Sequence, residues 1–246
     1  LQPIFSFKCR GAYNKISSLS SNDTDKGIIA ASAGNHAQGV ALSASKLRID
    51  AMIVMPTTTP SIKIESVKKF GVKVKLYGDS FDEAYEYALE VSKNEGRVFV
   101  HPFDDPLVIA GQGTVAKEIL EQLEEVPDIF FIPVGGGGLI SGMSMYLKEH
   151  YPNTKVYGVE SEDAPTLFTS LRNGKPTSLD QVGLFVDGCA VKRIGEETFK
   201  ISKKYVDDVI LVSIDETCAA IKDIYEDTRV MSEPAGALSI AGMKKF

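Results

Sequence analysis

Three short segments hold the residue types with the most chemistry to offer: Ser6-Phe7-Lys8-Cys9-Arg10-Gly11, Ser32-Ala33-Gly34-Asn35-His36 and Val134-Gly135-Gly136-Gly137-Gly138-Leu139. The first offers an amine, the second a cluster of backbone donors, and the third a backbone without Cβ atoms that can approach an anion closely. An amine that captures an aldehyde and a separate cradle for a phosphate suit a cofactor carrying both groups. Pyridoxal 5'-phosphate is such a cofactor.

With 27 lysines and arginines in the chain, a single lysine is by default a solvated charge. Lys8 differs in context: it follows Phe7 and the apolar Ile4-Phe5, where partial desolvation lowers an amine's pKa, and Arg10 pushes the same way. In the third segment residues 128–134 read as a buried strand, four glycines follow, and Leu139-Ile140-Ser141-Gly142-Met143 opens a helix. Several N–H groups can then aim at one phosphate with the helix dipole behind them, although a tight structural turn is the plain alternative. A dinucleotide site is the rival, since Gly136-x-Gly138-x-x-Ser141 nearly fits the fingerprint and Glu160 ends the next strand, where a ribose-binding acid would sit. Ser141 stands where that fingerprint needs glycine or alanine, and no Lys-Thr/Ser pair follows the glycines as a Walker A loop requires.

Ser32 to His36 lie between a strand and a helical run, so they form a second helix start able to bind a substrate carboxylate. Asn35 can bond a phenolic oxygen or act as a plain cap. His36 invites a base or ligand role. With three histidines in the chain and no second ligand at metal spacing, packing or support of a neighbour is the better reading.

The elements that position these segments alternate from end to end. Candidate strands at 28–31, 51–55, 72–77, 98–100, 129–134, 155–160 and 209–212 are each followed by a helix signal, the pattern of parallel βαβ units and an α/β fold. Thr59 is expected to cap a helix whose first residue is Pro60, Ser80 another, and Ser213 with Glu216 forms a capping box. Periodicity fails between 173 and 188, a surface connection. A chain of 246 residues with 43% hydrophobic content buries a real core. Its net charge of −6, with both signs interleaved, gives no basic stripe for nucleic acid. Three scattered cysteines suggest neither disulfides nor zinc, and no apolar run reaches the roughly 20 residues that span a bilayer. Because the chain opens on Leu1 and closes on Phe246 within a helical pattern, a fragment is expected.

With these segments in view, the sequence resembles the fold-type II pyridoxal phosphate family, and within it the biosynthetic L-threonine dehydratases. Further similarity lies in Ile53-Val54-Met55-Pro56, Pro102-Phe103-Asp104, Val108-Ile109-Ala110-Gly111-Gln112-Gly113-Thr114, Ala190-Val191-Lys192-Arg193-Ile194-Gly195 and Glu233-Pro234-Ala235-Gly236-Ala237-Leu238. The resemblance implies a tryptophan-synthase-β-like fold: two lobes, three αβα layers and mostly parallel sheets. It places a small lobe at 27–104 and a large lobe at 1–26 plus 105–246, closing on the substrate. It also implies that Lys8 forms the covalent bond to the cofactor, that Phe7 packs on it, and that Asn35 bonds its 3-hydroxyl. Gly135, Gly136, Gly137, Gly138 and Leu139 then hold its phosphate, and Ser32, Gly34, Asn35 and His36 the amino-acid carboxylate. The implied reaction takes L-threonine to 2-oxobutanoate and ammonia in isoleucine synthesis, with L-serine as a second substrate.

Departures from the family narrow the choice. Similar serine racemases have a second serine where this chain has Ala33, so racemisation is not expected. Their acidic cation ligand corresponds to Thr166, and no metal is assigned. A serine facing the pyridine nitrogen, a regulatory module and the leading helices of the family have no counterpart here, so weak cofactor retention and low activity are expected of this piece alone. A β-replacement enzyme of the cysteine-synthase type and an inactive cofactor-binding domain are the alternatives. The expected partner is a small amino acid, not nucleic acid or membrane, with a homo-oligomeric parent. The expected compartment is cytoplasmic in a bacterium, mitochondrial or plastid in a eukaryote.

Overall fold

The short apolar runs pair in parallel, and the side-chain alternation of each run divides its residues between two helical layers. A computed structural model describes residues 2–246. Leu1, with which the expected large lobe opens, lies outside the described residues. The chain packs as two units, the described residues up to Gln112 and Gly113–Phe246.

In the first unit the order is α1 (Lys8–Ser17), α2 (Ser21–Lys26), β1 (Ile28–Ala31), α3 (Asn35–Leu47), β2 (Ala51–Met55), α4 (Ser61–Lys68), β3 (Lys73–Leu76), α5 (Phe81–Glu95) and β4 (Val98–Phe99), followed by α6 (Pro106–Gln122), which runs into the second unit. The strands form one parallel sheet in the order β3-β2-β1-β4, with Ile28 opposite Ala51 and Val98. Ile28, Ala30, Ile53 and Met55 pack on Ala37, Val40, Ala41 and Ala44 of α3. Ile29, Ala31 and Val54 turn the other way, onto Ala84, Ala88 and Val91 of α5. That alternation of period two is what places a helix layer on each face.

Helix α1 lies against α3 at close range: a Cβ on Gly39 would come within 3.0 Å of the Lys8 carbonyl carbon and oxygen. Asn14 Nδ2 donates to the Leu107 carbonyl at 2.7 Å, and Lys15 pairs with Asp105 at 2.8 Å, both partly buried side chains in the ion pair. These contacts hold α1 at both ends, and Lys8 with it.

The second unit continues with β5 (Ile129–Pro133), α7 (Gly138–His150), β6 (Lys155–Ser161), α8 (Thr166–Asn173), α9 (Glu196–Tyr205), β7 (Asp208–Val212), α10 (Ile214–Thr228) and α11 (Pro234–Lys245). Its parallel sheet has the order β5-β6-β7. Phe130, Ile132, Val156 and Val209 face Ile140, Leu147, Leu167 and Phe199 of α7, α8 and α9. Val159 and Val212 face Ala220, Leu238 and Ala241 of α10 and α11. Residues 174–186 contain no helix or strand, and a single 3-10 turn, Asp187–Cys189, follows.

The capping boxes at Ser80 with Glu83 and at Ser213 with Glu216 are both formed. The expected cap at Thr59 is not. Pro60 is extended (ψ 141°) and its carbonyl accepts the first helical bonds from Lys63 and Ile64, so it is the cap residue and α4 begins at Ser61. The Thr59 hydroxyl, one residue too early to reach the open N–H groups, is buried without a partner. Among the described residues no helix is long and apolar enough to cross a membrane.

Candidate active site

Lys8 is the first residue of α1 and is half-buried, with Phe7 in the cap position. Its Nζ donates to the Pro102 carbonyl at 2.9 Å and stands 5.6 Å from the centre of the Phe7 ring. Both contacts, to an aromatic face and to a carbonyl oxygen, are electrostatic. Pro102 belongs to a turn braced from several sides. Val100 N–H donates to Ile29 of β1, and His101 Nδ1 accepts from the N–H groups of Phe103 and Asp104 at 3.2 and 2.8 Å.

His36 braces the same turn. Its ring is buried and Nε2 lies 2.9 Å from the Val100 carbonyl oxygen, an acceptor only, so Nε2 carries the proton. Burial pulls its pKa down to about 3, helped by the nearby Lys8 charge and opposed by the Val100 bond. Burial similarly takes His101 down to about 4, against the pull of Asp104. Both rings are therefore neutral over the physiological range. What His36 can offer a ligand is its backbone N–H in the first turn of α3.

That turn is preceded by Ser32, whose backbone N–H donates to Val54 of β2 and whose Oγ accepts from the Gly34 N–H at 3.2 Å. Gly34 is the cap residue and Asn35 the first helical one, so Asn35 does not serve as the cap. A Cβ on Gly34 would meet nothing within 4 Å. The loop thus presents helix-start donors on an open side, as carboxylate binding needs.

In the second unit the glycine loop joins β5 to α7. Gly137 is the cap residue of α7, at φ +90°, a conformation that L side chains rarely adopt. A Cβ there would also lie 2.9 Å from Thr198 Cβ, and a Cβ on Gly135 would lie 2.9 Å from the Cα of Cys189. Two of the four glycines are thus required by packing on neighbouring segments. The loop is also tied by Thr198 Oγ1, which donates to the Gly136 carbonyl at 2.7 Å. The helix ladder starts with Ser141 N–H to the Gly137 carbonyl, so the N–H groups before it belong to the opening turn. No acidic side chain lies in the loop, and the donor set fits a phosphate.

Glu160, the rival ribose-binding acid, is committed elsewhere. Its carboxylate is wholly buried and accepts from the backbone N–H groups of Leu167 and Phe168 at 2.8 and 2.9 Å, capping α8 from a neighbouring strand. Burial pushes its pKa up to about 8 against those bonds. Thr166 Oγ1 donates to the Val191 carbonyl at 2.7 Å. Among the described residues no three or more His, Cys, Asp or Glu side chains are grouped to hold a metal ion.

Sequence reasoning missed three contributors: the carbonyls of Val100 and Pro102, and Thr198. Main-chain acceptors carry no side-chain signal. Thr198 did carry one, since Thr198, Phe199 and Ser202 share the buried face of α9 and the two hydroxyls stand at i and i+4 on it.

A fold of parallel sheets between helix layers, a lysine at a helix start and a glycine loop ahead of another helix agree with one family. The chain belongs to the pyridoxal-phosphate dependent enzymes, whose family model matches residues 1–246. It is 55% identical over 245 residues to the biosynthetic L-threonine dehydratase of Pasteurella multocida, an alignment covering 100% of this chain and 48% of that protein. The chain spans about half the length of the curated relatives it matches. Among solved structures, the processed form of threonine deaminase isoform 2 from Solanum lycopersicum superposes with a TM-score of 0.96 at 51% identity, over 98% of this chain and 70% of that one. Maize serine racemase superposes with a TM-score of 0.94 at 35% identity, over 98% and 72% of the two chains. Backbone geometry alone therefore does not separate elimination from racemisation.

Proposed function

We propose a pyridoxal-phosphate-dependent threonine ammonia-lyase that converts L-threonine to 2-oxobutanoate and ammonia, acts also on L-serine, and serves isoleucine synthesis. The observation that carries this reading is the 55% identity with a biosynthetic L-threonine dehydratase along the whole chain. The absence of any proton-exchanging group on the Ala33 side chain supports elimination over racemisation.

In this proposal Gly135, Gly136, Gly137, Gly138 and Leu139 hold the cofactor's phosphate, Asn35 bonds its 3-hydroxyl and Phe7 packs on its ring. Ser32, Gly34, Asn35 and His36 hold the substrate carboxylate, His36 through its backbone. The cofactor, when bound, supplies an aldehyde for the lysine and a ring that accepts the electron pair left at the substrate Cα. Lys8 Nζ would be the base that takes the Cα proton. Its interaction with the Pro102 carbonyl gives the amine a defined resting place. The neutral His36 and His101 keep further positive charge away from that amine.

The lobe boundaries belong to the same proposal: a small lobe at 27–104, which contains the whole four-stranded sheet, and a large lobe of 1–26 and 105–246. So does assembly of the full-length protein into a homo-oligomer, which sedimentation reads. Product analysis tests the reaction. Equal amounts of 2-oxobutanoate and ammonia from L-threonine, with no new product when sulfide is added, are expected. A sulfide-dependent amino-acid product would favour β-replacement, and D-serine formed faster than keto acid would favour racemisation.

A further inference from the structure

We propose that Thr198 is a positioning residue for the phosphate loop: its hydroxyl fixes the direction in which the Gly137 N–H points. The inference rests on the reading that Gly135 to Leu139 hold a phosphate. The peptide between Gly136 and Gly137 is little restrained by its own residues, because both lack Cβ atoms and it can rotate about both Cα atoms with little steric hindrance. Something outside the loop has to select its orientation.

Thr198 does so from α9, 62 residues away in sequence. Its Oγ1 lies 2.7 Å from the Gly136 carbonyl oxygen and 3.3 Å from the Gly195 carbonyl one helical turn back. A hydroxyl has one proton to give, and the shorter contact is to the loop rather than to its own helix. The described residues contain no cis peptide bond, and in a trans peptide the C=O and N–H point in opposite directions within one plane. Drawing the Gly136 carbonyl toward α9 therefore aims the Gly137 N–H away from α9. The side chain also blocks retreat, since its Cβ sits 2.9 Å from where a Cβ of Gly137 would be.

A second tie keeps Thr198 itself in register with the loop. Ser141 Oγ, on the first turn of α7, donates to the Thr198 backbone carbonyl at 3.1 Å and lies 3.3 Å from Ser202 Oγ. Ser141, Thr198 and Ser202 are all fully buried, where a hydroxyl without a partner is strongly disfavoured and a partnered one is rigid. The residue that spoils the dinucleotide fingerprint, Ser141, is thus part of the device that aligns α7 with α9. The result is a loop whose donor is pre-aimed, so that ordering it need not be done by the ligand.

The test separates phosphate recognition from general stability by titrating the chain with pyridoxal 5'-phosphate and, separately, with pyridoxal, which has the aldehyde but no phosphate. In the unmodified chain pyridoxal phosphate should bind far more tightly. Thr198→Val keeps the shape and removes the donor, and should weaken pyridoxal phosphate about tenfold while leaving pyridoxal unchanged. Thr198→Ser should behave like the unmodified chain. Thr198→Ala supplies a second hydroxyl-free variant if valine disturbs folding, with circular dichroism reporting the fold. Equal preference for the phosphate in Thr198→Val and the unmodified chain, or a loss in Thr198→Ser as large as in Thr198→Val, would overturn the inference. No preference for the phosphate in the unmodified chain would overturn the phosphate reading itself.

Discussion

Around Lys8 the positioning is done by side chains that reach main-chain carbonyls: Lys8 to Pro102, His36 to Val100 and Asn14 to Leu107. Around the glycine loop the roles are exchanged, and a main chain stripped of side chains is gripped by Thr198 and packed on Cys189. The difference follows from what each region would have to do under the proposed function. An amine that is captured and released needs a contact it can leave, and a hydrogen bond to a carbonyl is such a contact. A phosphate anchor has to stay aimed throughout, so its peptides are fixed by packing and buried hydroxyls that do not depend on the ligand.

The largest effect that would break this contrast is expected at Gly137. Alanine there meets both a positive φ and the Thr198 side chain, a strain of about 1–3 kcal/mol if the loop keeps its shape. Pyridoxal phosphate affinity should fall by roughly ten- to a hundredfold, as measured by spectral titration. Unchanged affinity would mean that the loop is not rigid in the way described.

An effect that builds up as pH falls is expected from His36. Its pKa is about 3 when folded against 6.5 as the unperturbed value. Between those values the unfolded chain binds a proton that the folded ring refuses, so folding stability falls as pH falls through the window, by at most about 1.4 kcal/mol per pH unit. His101, at about 4, adds to the slope in the upper part of the same window. Thermal unfolding of His36→Gln between pH 4 and 7 should show a flatter decline, since glutamine can still donate to Val100 and does not titrate. An unaltered slope would place the acid sensitivity elsewhere.

Gly34 sharpens the contrast from the other side. Its φ is −119° and a Cβ added there would meet no atom within 4 Å, so Gly34→Ala should change stability by less than about 0.5 kcal/mol. Because the added methyl occupies the open side of the carboxylate loop, KM for L-threonine should nevertheless rise several-fold. A large loss of stability with KM unchanged would show that this glycine serves the fold instead.

Much of the frame was legible because it depends on local periodicity. All seven strands lie within about a residue of where apolar runs placed them, Ser80 and Ser213 both cap helices as expected, and the box of Ser213 with Glu216 follows from their spacing. The start of α4 was misplaced because proline suits either the cap or the first helical residue, and only the extended ψ of Pro60 decides between them. Glu160 entered the rival dinucleotide reading because its spacing from the glycines fits a ribose-binding acid. Its burial against the start of α8 arises because the chain turns back after β6 and brings the Leu167 and Phe168 N–H groups onto the side chain, a geometry that residue spacing alone does not report. The lysine and the glycines stood out by residue type, whereas the carbonyl that holds Lys8 and the hydroxyl that holds Gly136 are supplied from distant segments.

The central claim is that Lys8 is the amine that carries the cofactor. The most direct test is to record the visible absorbance of the chain with pyridoxal phosphate, reduce it with borohydride and locate the added mass by peptide mapping. The visible band should disappear on reduction and the adduct should lie on Lys8, with no adduct formed by Lys8→Ala. A reduced adduct on another lysine, persisting in Lys8→Ala, would contradict the claim.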